Sequence, residues 1–209
     1  MTNPANFWDD RFSQPEYLFG TKPADFLTRH IHFLAPCSRV LCIADGEGRN
    51  SVWLAGQGMQ VVAMDGSVVA LDKARALART AKVSVDYRQG DVTRWDWDGA
   101  QYDVLVGIFF QFLGPDARQQ VFAGLHRALK PGGLLMLHGY APRQVGYGTG
   151  GPPHVENMYD LALLNEAFGG YDMLYEADYD ADVDEGRGHS GRSALVDFIA
   201  RKPIPTEGH

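Results

Sequence analysis

The strongest constraint on this chain is an alternation that runs from Arg39 to Tyr140. Short apolar runs bounded by Asp and Gly take turns with segments of helical spacing. The apolar runs are 39–44, 60–64, 83–87, 102–106 and 134–138. Near-continuous hydrophobicity over so few residues marks strands buried on both faces. The first segment between them, 50–58, is short and ends at glycine, and the next, 67–81, opens on the good cap residue Ser67. The third, 116–129, stops at Lys130-Pro131-Gly132-Gly133, a helix end and turn. Such repetition with right-handed crossovers predicts an α/β, doubly wound, mostly parallel sheet.

Both ends depart from the pattern. Helices are expected at 5–11 and 24–34, a Gly/Pro-rich loop at 141–155 and a short helix at 158–168. Two β-like runs, 171–183 and 193–201, joined by 184–191, form a hairpin and so add antiparallel strands, giving seven in all. With 209 residues the chain has room for one domain. The expectation is a single domain over 1–209, with a helical lid or cap region at 1–38 and a sheet core at 39–209.

Composition narrows the function classes. The net charge is −7 without any Lys/Arg cluster, which argues against a surface that tracks phosphates, and no nucleic-acid partner is expected. No apolar stretch approaches a membrane span, and Trp8, Asp9 and Asp10 stand where a signal peptide needs a basic patch and an apolar run. Cys37 and Cys42 fit no metal or redox spacing. These features predict a reduced, soluble, cytoplasmic protein, monomeric or homodimeric, with no metal and no membrane partner.

Three turns at the ends of successive strands carry the chemistry. Ala44-Asp45-Gly46-Glu47-Gly48-Arg49-Asn50 follows the first strand, and its glycines let the backbone approach a ligand at a helix N-terminus. It half-fits the dinucleotide pattern G-x-G-x-x-G, with Ser51 in place of the third glycine. Met64-Asp65-Gly66-Ser67 ends the second strand, where an acid accepts ribose hydroxyls. Gln89-Gly90-Asp91-Val92 follows the third, where a carboxylate meets an adenine amine. Each acid alone also reads as a helix cap; all three in register point to a nucleoside ligand.

These residues resemble class I methyltransferases that use S-adenosylmethionine (SAM). The likeness rests on 40–50, Asp65, Gly90-Asp91, 102–106 and Pro131-Gly132-Gly133. More narrowly, Phe7-Trp8-Asp9-Asp10-Arg11-Phe12, Tyr17-Leu18-Phe19-Gly20-Thr21, Asp25-Phe26-Leu27, Thr149-Gly150-Gly151-Pro152, Asp184-Glu185-Gly186 and His189 are similar to a bacterial subfamily. That subfamily is grouped with tellurite-resistance and thiopurine S-methyltransferases. The resemblance implies a seven-stranded Rossmann-like methyltransferase sheet and SAM as cofactor. It implies that Asp45, Gly46, Glu47, Gly48 and Asn50 line the methionine and ribose, that Asp65, Gly66 and Ser67 hold the ribose, and that Asp91 and Val92 face the adenine. Phe109 and Gln111 would sit near the methyl group. Two residues depart from the common pattern: Ala44 replaces its first glycine, and Cys42 its early acid. At Gln111 relatives more often carry His.

The resemblance implies methyl transfer to a small molecule, with a thiol, selenium or tellurium nucleophile preferred, because a soft nucleophile ionises near neutral pH and needs no strong base. His138, His154 and His189 are the candidate bases, each also readable as structural. Trp8, Phe12, Tyr17 and Phe19, with Tyr147 in the loop, are candidates for an aromatic lid, and Trp8, Tyr17, Tyr147 and the polar Gln111 are candidate substrate contacts. Phe12 and Phe19 read equally well as a staple between an N-terminal helix and the sheet. Arg11, Arg143 and Arg187 are candidate anion clamps. The acids at 178, 180, 182 and 184 alternate as the solvated face of a strand.

Rival readings have specific weaknesses. A nicotinamide dehydrogenase leaves Asp91 and the closing hairpin unexplained, and no Tyr is followed four residues later by Lys. A nucleic-acid methyltransferase usually carries a polar–Pro–Pro–aromatic motif after the fourth strand, where this chain has Gly107-Ile108-Phe109-Phe110-Gln111. An O- or N-methyltransferase, or a SAM-binding protein without catalysis, stays open from sequence.

Overall fold

A computed structural model describes residues 4–99 and 101–205. The outermost residues of the expected 1–209 domain lie outside the described part. Seven strands form one sheet in the order β3-β2-β1-β4-β5-β7-β6. They are β1 (Arg39–Ile43), β2 (Gln60–Asp65), β3 (Asp86–Gln89), β4 (Tyr102–Ile108), β5 (Leu129–Tyr140), β6 (Asp172–Asp184) and β7 (Ser190–Arg201). β1 to β5 are parallel, while β7 runs antiparallel to both β5 and β6. The helices are α1 (Pro4–Phe12), α2 (Asp25–Arg29), α3 (Arg49–Gly56), α4 (Val68–Ala81), α5 (Pro115–Ala128) and α6 (Leu161–Phe168). The expected fold class therefore stands.

The apolar runs became strands because both sheet faces are covered. Leu41, Ile43, Val62 and Met64 pack into one cluster with Phe110 and Leu125, and Val40, Cys42, Val61 and Ala63 into another with Phe26 and Leu54. The chain reverses direction along the sheet between β1 and β4, and open α/β sheets bind ligands in the crevice at that switch point.

Several boundaries moved, three of them for visible reasons. β3 begins three residues later than expected, because Lys82 takes a left-handed conformation at the end of α4 and spends the next residues in a turn. β5 begins at Leu129 rather than 134, because Gly132 and Gly133 exchange backbone hydrogen bonds with Lys202 instead of forming a free turn. The helix expected at 24–34 breaks at His30 into α2 and a single 3₁₀ turn, Ile31–Phe33. Among the described residues no helix is long and apolar enough to cross a membrane.

Candidate active site

A cavity of about 460 Å³ opens at the carboxyl ends of β1 to β4, within the range of small-molecule sites. Its two ends differ in chemistry. One is lined by Asp45, Gly46, Asp65, Gly66, Asp91 and Val92, the other by aromatic rings.

Each carboxylate end is held by backbone. Asp65 accepts hydrogen bonds from Gly46 N and Ser67 N, both at 2.8 Å, so one side chain ties the β1 turn to the β2 turn. Asp45 accepts from Ser51 N at 3.3 Å and from the Ser51 hydroxyl. Asp91 caps the turn Val92–Arg94 through Thr93 N at 2.9 Å, with only Oδ1 engaged. Burial drives the Asp45 carboxyl up to about 7 and raises that of Asp65, and the charge of Asp65 adds to the shift at Asp45. Among the described residues neither acid is ion-paired, since Arg49, which also lines the cavity, is committed to Glu185. Gly48 sits at φ +90, and a Cβ there would meet Ala74 at 2.6 Å, so the turn closes against α4 only with glycine.

The other end is a run of six rings on four parts of the chain. Phe112 contacts Trp8 (centroids 6.1 Å), Trp8 stacks on Phe12 (5.6 Å), Phe12 meets Phe19 (6.1 Å), Phe19 meets His189 (4.4 Å) and His189 meets Phe109 (4.0 Å). All six line the cavity. Ala44 and Phe109, both in its wall, have φ of 49 and 54, left-handed values that cost a residue with a side chain about 1–3 kcal/mol and collect at functional sites.

The N-terminal segment reaches the cavity because specific groups hold it. Asp9 accepts from the Ser67 hydroxyl at 2.5 Å and so docks α1 on the start of α4. Lys73 donates to the carbonyls of Phe12, Gln14 and Glu16 and is ion-paired with Glu47, which accepts Leu18 N at 2.7 Å. The N-terminal helix is stapled to the sheet, and Phe12, 3% exposed, also lines the cavity.

Several residues expected at the ligand are engaged elsewhere. Glu47 anchors the strap at Leu18, and Gly48 and Ser67 shape the turns without lining the cavity. Asn50 does line it, and its Oδ1 accepts Ala24 N at 2.9 Å. Gln111, expected near the methyl group, instead makes a two-point bond with the backbone of Tyr140, at 2.8 and 2.5 Å. Tyr17 donates to the Lys73 carbonyl, and Tyr147 to Asp180 at 2.7 Å. Tyr147 does not line the cavity, and buried Gln144 ties its loop down by accepting Ala194 N at 2.7 Å and donating to Thr149 and Gly150.

The candidate anion clamps are also occupied. Arg143 is paired with Asp178 and Asp180, Arg187 with Glu16, and Arg11 lies over Trp8 at 5.3 Å. The Arg143 pairs sit on the acidic face of β6 that the alternation predicts.

The histidines separate cleanly. His154 is exposed. His138 is buried with Nδ1 2.6 Å from Asp197, and Asp197, wholly buried, also accepts Arg29 and Tyr179. Proximity of His138, Arg29 and His30 holds the Asp197 carboxyl below its usual value despite its burial. Asp197, Phe112 and Arg94 carried no signal in the sequence, since only contacts between distant segments give them a place.

SAM fits this cavity on the chemistry of its donors. Its ammonium would supply an ion-pair partner for acids that have none among the described residues, and its ribose hydroxyls and adenine amine match acceptors at Asp65 and Asp91. Gly66 leaves open space beside it, with only the Gly90 carbonyl, 3.8 Å away, within reach of an added Cβ.

Comparison with known proteins agrees. Residues 40–133 match the family model of a methyltransferase domain. An uncharacterized methyltransferase of Synechocystis sp. is 30% identical over 105 residues, 50% of this chain and 48% of that one. The tRNA N(3)-methylcytidine methyltransferase of Schizosaccharomyces pombe is 30% identical over 157 residues, 67% of this chain and 50% of that one. The chain thus spans about half the length of these two relatives. A protein solved for the conversion of a disulfide bond into a thioacetal group during echinomycin biosynthesis has the same fold. Its TM-score is 0.78 at 16% identity, over 98% of this chain and 94% of that one. The chain thus carries, over residues 40–133, a match to a methyltransferase domain, a domain whose cofactor is SAM, set in a seven-stranded mixed sheet.

Proposed function

We propose that this protein transfers the methyl group of SAM to a sulfur, selenium or tellurium atom of a small molecule, in the manner of the tellurite-resistance and thiopurine methyltransferases its motifs resemble. The observation that carries the reading is the aromatic run that shares the cavity with the carboxylates. Ring faces attract a sulfonium and give a polarisable nucleophile a dry approach.

When bound, SAM supplies a methyl group already activated for displacement. The protein then has to hold it, align the nucleophile and keep water out. Asp65 would take the ribose, Asp45 the methionine end, and Asp91 with Val92 the adenine. Trp8, Phe12 and Phe19 would close over the methyl group. A small acceptor is favoured over a nucleic acid by the net charge of −7 and by the walls that Trp8 and Phe112 put around the acceptor end. Such chemistry suits the reducing cytoplasm, for a monomer or homodimer.

The test is incubation of the purified protein with SAM and benzyl mercaptan, selenite, tellurite, a phenol and an amine, with methylated products read by mass spectrometry. The reading predicts products from the first three. Methylation of the phenol or the amine alone would overturn it.

A further inference from the structure

His189 lies at the tip of the β6–β7 hairpin, wedged between Phe19 and Phe109 in the cavity wall. The tip is held firmly: Gly188 N donates to Leu18 O at 3.1 Å, and Glu185 pairs with Arg49 at 2.6 Å, both side chains being under a tenth exposed. The ring makes no hydrogen bond within the described chain. Nδ1 is sealed in the wall without a partner, which leaves Nε2 as the nitrogen open to the cavity. A buried imidazole in a cavity wall, with no hydrogen-bond partner among the described residues, has no structural explanation in hydrogen bonding.

We infer that His189 Nε2 takes the proton of the incoming acceptor, and that this acceptor is a thiol. The inference rests on the proposed transfer to sulfur and adds the residue and the protonation state. In the step, the S–H proton passes to Nε2. The sulfur lone pair forms the new bond to the methyl carbon, and the electrons of the broken bond remain on the cofactor's sulfur. The proton leaves His189 for water once the cavity opens.

The surroundings explain why a thiol. Besides burial, Arg49 from α3, His138 from β5 and Arg11 from α1 bear on the ring, with the phenol of Tyr140 beside it. Glu185 is committed to Arg49. With burial, these charges hold His189 neutral and its basicity low. An imidazole that must deprotonate an alcohol is usually strengthened by a carboxylate. His189 has none, whereas His138, which has Asp197, is sealed and absent from the cavity lining. A weak base suits an acceptor that is itself acidic, and thiols ionise near pH 8.5.

The experiment compares two thiols with SAM in the full-length protein: benzyl mercaptan, mostly protonated at neutral pH, and 4-nitrothiophenol, already ionised. In His189→Gln the ratio of kcat/KM for benzyl mercaptan to that for 4-nitrothiophenol should fall about 100-fold, the lower range for a positioned base. An unchanged ratio with both thiols still methylated overturns the role of His189 and leaves sulfur transfer standing. Absence of turnover of both thiols by the wild type overturns the inference together with the sulfur branch of the proposed function, and methylation of selenite or tellurite then decides whether the rest of that reading stands. Should His189→Gln not fold, ¹⁵N NMR of wild-type imidazoles with S-adenosylhomocysteine bound decides instead. Adding benzyl mercaptan should move the His189 Nε2 resonance, and a resonance that does not move overturns the proposal.

Discussion

The two ends of the cavity are built by different means. At the carboxylate end, Asp45, Asp65 and Asp91 follow three neighbouring parallel strands, and their carboxylates are held largely by nearby backbone N–H groups. At the aromatic end, Trp8, Phe19, Phe109 and His189 come from four separate stretches and meet only through long-range contacts such as Lys73 with the N-terminal strap and Leu18 with the hairpin tip. Local turns can fix a common cofactor site, while a site assembled across the chain is free to vary with the acceptor. Substitutions should therefore separate cofactor affinity from acceptor recognition.

The largest effect is expected outside both ends, at the buried Asp197. Asp197→Ala leaves Arg29 and His138 without their partner and should cost about 3–5 kcal/mol in urea unfolding. SAM affinity of the folded fraction should stay within about twofold; a larger loss would show that the two ends are coupled through β7. Next is Asp65→Ala, which strands ligand and backbone donors together and should weaken SAM binding by about 1–3 kcal/mol. Unchanged affinity would remove the ribose assignment. Gly188→Ala tests the aromatic end alone, because a Cβ there overlaps the Phe19 ring. The KM for benzyl mercaptan should rise about fivefold, near 1 kcal/mol of overpacking, with SAM affinity unaltered. A shift in SAM affinity instead would erase the distinction between the ends.

The smallest effect is a pH dependence. The Asp45 carboxyl, lifted to about 7, is partly protonated at neutral pH, and a cationic ligand favours its ionised form. SAM affinity should therefore rise as pH rises through 7, by up to about tenfold for each unit that binding lowers this value, with protons released on binding. Calorimetry in buffers of different ionisation heats reads the protons. Asp45→Asn should abolish the slope, and a slope that persists would assign it to another group.

The same contrast explains what could be read from sequence. β1, β2 and β4 were legible almost to the residue because burial on both faces leaves a continuous apolar run. β3 was not, since it is short, largely exposed and paired with a single neighbour, β2. The acids at 45, 65 and 91 were visible because position after a strand suffices to place them. His189 was visible only as one histidine among three, and nothing nearby in sequence distinguishes the open nitrogen of His189 from the sealed ring of His138. Gln111 and Tyr147 misled for the converse reason: a polar residue close to the site in sequence found its partner in Tyr140 or Asp180.

The most direct test of the account is calorimetric titration of the purified protein with SAM, with NAD and NADP as controls. The account predicts saturable SAM binding at one site per chain and none of either nicotinamide cofactor. A folded protein that binds no SAM would contradict it at its centre, because the carboxylate turns would then have no ligand and the aromatic end no methyl group to cover.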